Sequence, residues 1–493
     1  MIAAHLPALQ VVIPLLAAPA CVLLYRGHYA WMVAVMSAWL AFLVSVALLL
    51  QVYDGGTLSY AMGSWEPPWG IEYRIDLLNA FVMLLISGTA AVVLPYARAS
   101  AEREIEKDRH NLFYCMLLLC LAGLLGMTIT GDAFNVFVFL EISSLAIYTL
   151  VALGRDRKAL MSAFQYLVMG TIGATFFLIG VGLLYTMTGT LNMADLATRL
   201  QPIATSRPVL AAFAFIVVGL ALKLALFPLH LWLPNAYAFA PSAVSAFLAA
   251  TATKVAIYVL LRFTLTVFGA DFAFGEEPLG LILFVPALIA MFAGSIVAVF
   301  QENAKRLLAY SSVAQIGYIV LALSLASPGG VAAGIVHIFN HALMKGALFL
   351  AMGCVFYRLG SVRLERMAGL GSEMPLTMAA IVIGGLSLIG VPLTAGFISK
   401  WLLLDAAFGL GLWWLALLIV ASSLIAIVYV WRLIETAYFR PRPENRERVA
   451  EAPLSLLVPT WLLALANIYF GIDTRLTVDV ASRAAVQLLG GPG

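Results

Sequence analysis

Long apolar runs joined by short polar or charged connectors make up nearly the whole chain. The runs do not alternate apolar and polar residues as the strands of a closed membrane barrel would, so helices are the expected element. A hydrocarbon core of ~30 Å takes about 20 helical residues. Runs of that length place spans at 4–25, 31–53, 75–97, 111–130, 132–153, 161–188, 208–239, 242–267, 278–300, 305–326, 330–357, 376–408, 411–434 and 452–471. The chain is therefore read as an all-α polytopic membrane protein of about fourteen transmembrane helices. The first run lacks a basic n-region and a small-residue cleavage site, so a retained helix is expected there rather than a leader.

Composition agrees: 63% of the 493 residues are hydrophobic and 11% charged, against about half and a quarter in soluble domains. A net charge of +3 is too small to suggest nucleic acid. Cys21, Cys115, Cys120 and Cys354 are scattered without C-x-x-C spacing and read as small buried hydrophobes. There is no G-x-G-x-x-G and no P-loop. No cofactor and no metal site is expected.

Charge sets the orientation. Arg26; Arg98, Arg103, Lys107 and Arg109; Arg155, Arg157 and Lys158; Lys305 and Arg306; Arg358, Arg363 and Arg366; and Arg432, Arg440, Arg442, Arg446 and Arg448 all fall in connectors after odd-numbered spans. The other side holds Arg74, Arg199, Arg207, Arg475 and Arg483, with acids such as Asp54, Glu66, Asp271, Glu276 and Glu277. The positive-inside rule puts the basic side in the cytoplasm of an inner (cytoplasmic) membrane, with both termini on the outer, periplasmic side.

Charges within the runs are the candidate chemistry. Of seven lysines, Lys223, Lys254, Lys345 and Lys400 lie deep in apolar spans, as does Glu141 in FNVFVFLEISSL. An ionised group at the centre of a membrane helix costs about 2.5–3.5 kcal/mol on insertion scales. Arginine cannot release its proton, whereas lysine exchanges one readily once buried. His337, His341 and Lys345 share a helix face at i, i+4 and i+8; proton relay or interhelical hydrogen bonding is preferred there over metal binding. His230 is a weaker relay candidate, Tyr310, Ser311, Ser312 and Gln315 are read as interhelical hydrogen-bonding groups, and Ser143, Ser144, Thr251 and Thr253 as hydroxyls that bridge gaps. Asp76, next to Arg74, is read as half of an interface ion pair in preference to a role in ion entry, and Asp405 as a local partner of Lys400 or a group near the outer exit.

Two spans carry helix breakers near their middles: the seventh has Pro228 and Pro234, the twelfth Gly390, Pro392 and Gly396. Spans four to eight and nine to thirteen then form two units of five, each with its fourth helix broken; an odd count inverts the second unit. Expected divisions are 1–110 (three helices), 111–267 and 278–435 (the repeats) and 436–493 (loop, last helix and an amphipathic tail).

GDAFNVFVFLEISSLAIYTLVAL with Glu141, ALKLALFPLHLWLPNAYAFAPSAVSAFLAATATK with Lys223 and Lys254, RLLAYSSVAQIGYI, HIFNHALMKGALFL with Lys345, and GVPLTAGFISKW with Lys400 resemble the antiporter-like subunits shared by respiratory complex I, energy-converting membrane hydrogenases and Mrp-type sodium/proton antiporters. The likeness runs from the third to the thirteenth span and is greatest to the D-type component of the Mrp antiporters. It implies a proton-translocating subunit of a multisubunit monovalent cation (Na+)/proton antiporter, with other membrane subunits as partners. The alternative it implies is the homologous pump subunit of a redox-driven complex. By the same resemblance Glu141 pairs with Lys223, a central lysine or histidine relays onward, and Lys400 ends the path.

Overall fold

A computed structural model describes residues 2–276 and 278–490; Glu277 and the last three residues of the expected tail lie outside the described residues. The chain runs α1 (Leu6–Leu23), α2 (Gly27–Gly55), a hairpin of β1 (Leu58–Ala61) and β2 (Glu72–Ile75), α3 (Leu77–Glu104), α4 (His110–Ile129), α5 (Ala133–Ala152) and α6 (Arg157–Thr188). A short α7 (Met193–Leu200) precedes α8 (Arg207–Lys223), α9 (Trp232–Phe239), α10 (Ser242–Ala250), α11 (Ala252–Leu261), α12 (Leu279–Val299), α13 (Ala304–Ser324) and α14 (Pro328–Leu359). Single-turn helices α15 (Leu364–Met367) and α16 (Leu370–Glu373) lead into α17 (Pro375–Ile389), α18 (Ala395–Gly409), α19 (Trp413–Phe439), α20 (Leu454–Ile472) and α21 (Arg475–Leu488).

Among the described residues, 12 helical stretches are long and apolar enough to cross a membrane. The other two of the fourteen expected spans are those split at their breakers, into α8 with α9 and α17 with α18. Among the described residues, the small hairpin, which pairs Leu58 with Ile75, is the one sheet, and the apolar pattern did not signal it. The tail forms the amphipathic α21, which buries Val480, Ala481, Ala484 and Ala485 against α14 and α3.

The two five-helix units are visible in their local structure. Asp132 and Asn303 each cap the helix that follows, α5 and α13, by accepting from a backbone N–H three residues on. α6 and α14 are both 32 residues long, and each ends on a glycine in the left-handed region, Gly189 and Gly360. Three residues later Asn192 and Arg363 bridge back to Asp132 and Asn303. Each of these landmarks in the second unit thus follows its counterpart by the same 171 residues, as Asp132 and Asn303 show.

Which spans sit inside follows from what they carry. α13 is 94% buried over its most apolar stretch, whereas α6, α12 and α19 are each 39% buried and face outward with leucine, valine and isoleucine. α14, with both histidines and Lys345, packs against α3, α10, α13, α17, α18, α20 and α21. Lipid offers no partner to a charged side chain, so helices bearing them collect at the centre. Gly173 and Gly219 bring α6 and α8 close: a Cβ on either would lie 2.9 or 2.6 Å from the other's carbonyl oxygen.

Candidate functional site

The first break follows Lys223. Backbone N–H groups of Leu224 and Leu226 take the carbonyls of Leu220 and Ala221, and the Trp232 indole donates to Leu222 O at 3.0 Å. The loose end of α8 is thereby satisfied without the lysine. Lys223 reaches across to α5 and donates to Ser144 Oγ at 2.8 Å. Glu141, one turn earlier on α5, is near enough to act on Lys223 electrostatically but makes no hydrogen bond to it, and its Oε1 is buried without a partner. Ser144, and not Glu141, is therefore the direct partner of Lys223 in this structure.

The second break is held by its own lysine. α17 ends on Gly390, whose φ of +93° favours glycine. Lys400, from the first turns of α18, folds back to donate to Leu388 O at 3.1 Å, Ile389 O at 2.9 Å and Ser423 Oγ at 3.1 Å, with its Nζ 4.7 Å from the centre of the Tyr318 ring. An ammonium on the carbonyl end of a half-helix also meets the negative pole of its dipole. Asp405 is exposed and forms no ion pair with Lys400, so of its two expected roles the local pairing is not formed.

A third interruption carries no proline or glycine to announce it. Between α10 and α11, Thr251 leaves helical geometry (φ −123°, ψ −57°) while its hydroxyl bonds to Phe247 O at 2.7 Å. Lys254 Nζ donates to the Ala249 carbonyl in the turn so opened. Lys345 donates to Leu308 O at 2.8 Å and to Ser311 Oγ, both on α13. Lys254 and Lys345 are 1% and 0% exposed, Lys223 and Lys400 9% and 6%. All four are held by carbonyls and hydroxyls, none by a carboxylate within ion-pair distance among the described residues.

The histidines join the lysines. His337 bonds through Nδ1 to Ser399 Oγ at 2.8 Å, beside Lys400, and through Nε2 to Gln315 Oε1 at 3.0 Å. His341 stacks on His337 with ring centres 6.0 Å apart, and both of its ring nitrogens are buried without a partner. Lys254 and Lys345 act on it electrostatically. The order across the molecule is thus Glu141, Lys223, Lys254 with Lys345, His341, His337, Lys400. A cavity of about 30 Å³ lined by Ser144, Lys223, Ala252 and Ala256 lies between Lys223 and the Lys254 helix, room for a water or two by the ~10–15 Å³ criterion.

Other expectations shift. Asp76 pairs with Arg262 rather than with Arg74, and caps α3 through Asn79. Ser311 and Gln315, expected to bond between helices, do so with Lys345 and His337 themselves. Ser143, like Thr251, bonds to its own helix. His230 stacks on Phe227 and its Nδ1 has no partner. Lys305, counted among the connector bases, is 2% exposed; its place in the first turn of α13 hid its depth.

Residues 130–426 match the family described as NADH:quinone oxidoreductase/Mrp antiporter, TM. The chain is 43% identical over 488 residues to the N subunit of NADH-quinone oxidoreductase of Desulforudis audaxviator, covering 95% of this chain and 96% of that one. It is 29% identical over 482 residues to the D subunit of the Na(+)/H(+) antiporter of Bacillus subtilis, covering 98% and 96%. Its fold is similar to a chain in the structure of the Mrp complex from Dietzia sp. DQ12-45-1b, with a TM-score of 0.91, 26% identity and coverage of 99% and 98%.

Proposed function

The chain belongs to the NADH:quinone oxidoreductase/Mrp antiporter family of membrane subunits, and from that premise we propose that it translocates protons in a multisubunit monovalent cation (Na+)/proton antiporter. The observation that carries this is the set of four buried lysines in the row, each held by neutral oxygens. A structural ion pair would fix an ammonium with a carboxylate. Carbonyls and hydroxyls hold the charged form while leaving the neutral amine an available state, as a group that exchanges protons requires.

In this scheme Glu141 stabilises the ammonium of Lys223, and their separation releases the proton toward Lys254. His341, with two unpartnered ring nitrogens, accepts from Lys254 or Lys345. His337 passes the proton toward Lys400, which ends the row. Crowding drives the transfer: two unit charges at the 6.0 Å spacing of the histidine rings repel by about 3 kcal/mol at an effective dielectric of ~20. A proton entering at one end therefore favours the loss of another further along.

The basic connectors are placed in the cytoplasm and both termini outside, in the inner membrane. Three helices (1–110) precede the repeats (111–267 and 278–435), and 436–493 closes the chain. Its partners are other membrane subunits of the antiporter, protons and the cation. The second reading, a pump subunit of a redox-driven complex, is favoured by the 43% identity to a quinone oxidoreductase subunit; copurification with iron–sulfur subunits would select it. The transport reading is tested with Glu141→Ala and Lys223→Ala. Both should abolish cation-dependent ΔpH dissipation in vesicles while the complex still assembles, and normal transport in both would refute the relay.

A further inference from the structure

A buried acid and base lie apart from the row, at the end of the molecule that bears the basic connectors. Glu104, the last residue of α3, accepts from Ser100 Oγ at 2.7 Å and from the Ser242 backbone N–H at 3.0 Å. Lys305 donates to Ser242 Oγ at 3.0 Å and Ala240 O at 3.3 Å, and feels the Glu104 charge. Ser242 thus touches both, its backbone N–H on Glu104 and its hydroxyl on Lys305. A cavity of about 170 Å³ reaches them from a rim that includes the connector residues Arg155, Asp156, Gly360 and Arg363.

From Lys305 one flank of α13 stays polar toward mid-membrane. Leu308 O and Ser311 receive Lys345, Gln315 holds His337, and the Tyr318 hydroxyl bonds to Ser423, which also receives Lys400. At 100° per residue these positions fall within about 140° of the helix circumference.

We infer that Glu104 and Lys305 form a proton port on the basic face that exchanges with the row through Lys345. The inference rests on the proton-row reading. A proton taken from solvent by the Glu104 carboxylate passes through water in the cavity that both side chains line to a neutral Lys305 amine, and the carboxylate is restored. The Lys305 ammonium then gives up that proton, which travels about 9 Å along α13 through water and Ser311 to a neutral Lys345 amine. Glu104 also has a structural duty, since with Ser100 it caps the first turn of α10. Glu104→Gln keeps an oxygen for the cap but cannot exchange a proton. Lys305→Arg keeps the charge and the donors but cannot release one.

The test uses the assembled complex in sealed vesicles of known orientation, measuring cation-dependent ΔpH dissipation while the pH on the basic face is varied. The titratable and charged groups facing the port are Tyr96, Arg155, Asp156, Lys305 and Arg363. Both variants should assemble, run slower by on the order of a hundredfold, and become more steeply dependent on basic-face pH than the parent. A parent-like rate in either variant, or a slow rate with the parent's pH profile, would overturn the port. If Glu141→Ala also transports normally, the row itself fails; if Glu141→Ala is dead and Glu104→Gln is normal, the port alone fails.

Discussion

Ser144 is a single hydroxyl on which the position of Lys223 depends. The Nζ to Oγ bond of 2.8 Å is buried, and a hydrogen bond to a charged group is worth about 1.5–3 kcal/mol. Ser144→Ala removes it and leaves the ammonium no other hydrogen-bond partner in this position among the described residues. The population of the α5-bound lysine should fall by roughly 10- to 150-fold, taking 1.36 kcal/mol per factor of ten. If Lys223 exchanges its proton from this position, the initial rate of cation-induced ΔpH dissipation should fall by at least about tenfold in vesicles with normal complex content. Ser144→Thr, which keeps the hydroxyl, should restore most of it. A Ser144→Ala complex that transports within about a factor of two of the parent would show that the lysine works from elsewhere, and the geometry drawn between α5 and α8 would be wrong.

Lys400→Arg should keep the carbonyls of Leu388 and Ile389 occupied, yet slow transport by on the order of a hundredfold or more because guanidinium does not release its proton; parent-like antiport would remove Lys400 from the path. Gly396→Ala sets a Cβ on top of the Ser387 carbonyl oxygen, a backbone clash that should lower the detergent Tm of the complex by an amount reflecting ~1–3 kcal/mol or more. An unchanged Tm would mean that the break relaxes. Asp76→Asn keeps the cap on α3 but strips Arg262 of its carboxylate, with side chains 18% and 11% exposed. Breaking so partly buried a pair should cost about 1–3 kcal/mol, again read as Tm, and no loss would show that Arg262 finds another acceptor.

The candidate site was legible as an inventory and not as a set of contacts. Glu141, the four lysines and the two histidines stand out because each is an ionisable group in an apolar run, an anomaly that needs no neighbours to be seen. Their partners come from other spans: Ser144 lies 79 residues from Lys223, and Leu308 lies 37 from Lys345. Nothing in the residue order favours Ser144 over Glu141, or pairs Asp76 with Arg262, 186 residues away.

Backbone chemistry and hydropathy are local, and local properties are readable from the residues alone: the membrane-spanning runs, the breaks at Pro228 and Gly390, and the two-unit order with its five-helix count. The interruption at Thr251 escaped because a threonine opens a helix only where something nearby takes the freed carbonyl, here Lys254. Lys305 escaped for the same reason. A lysine in the first turn of a helix faces water or the interior according to what packs over it, and it is the fold that brings Ser242 and Glu104 there to hold it. An ammonium in a low-dielectric interior is stable only through the oxygens around it, and those oxygens are assembled by the packing of helices distant in the chain.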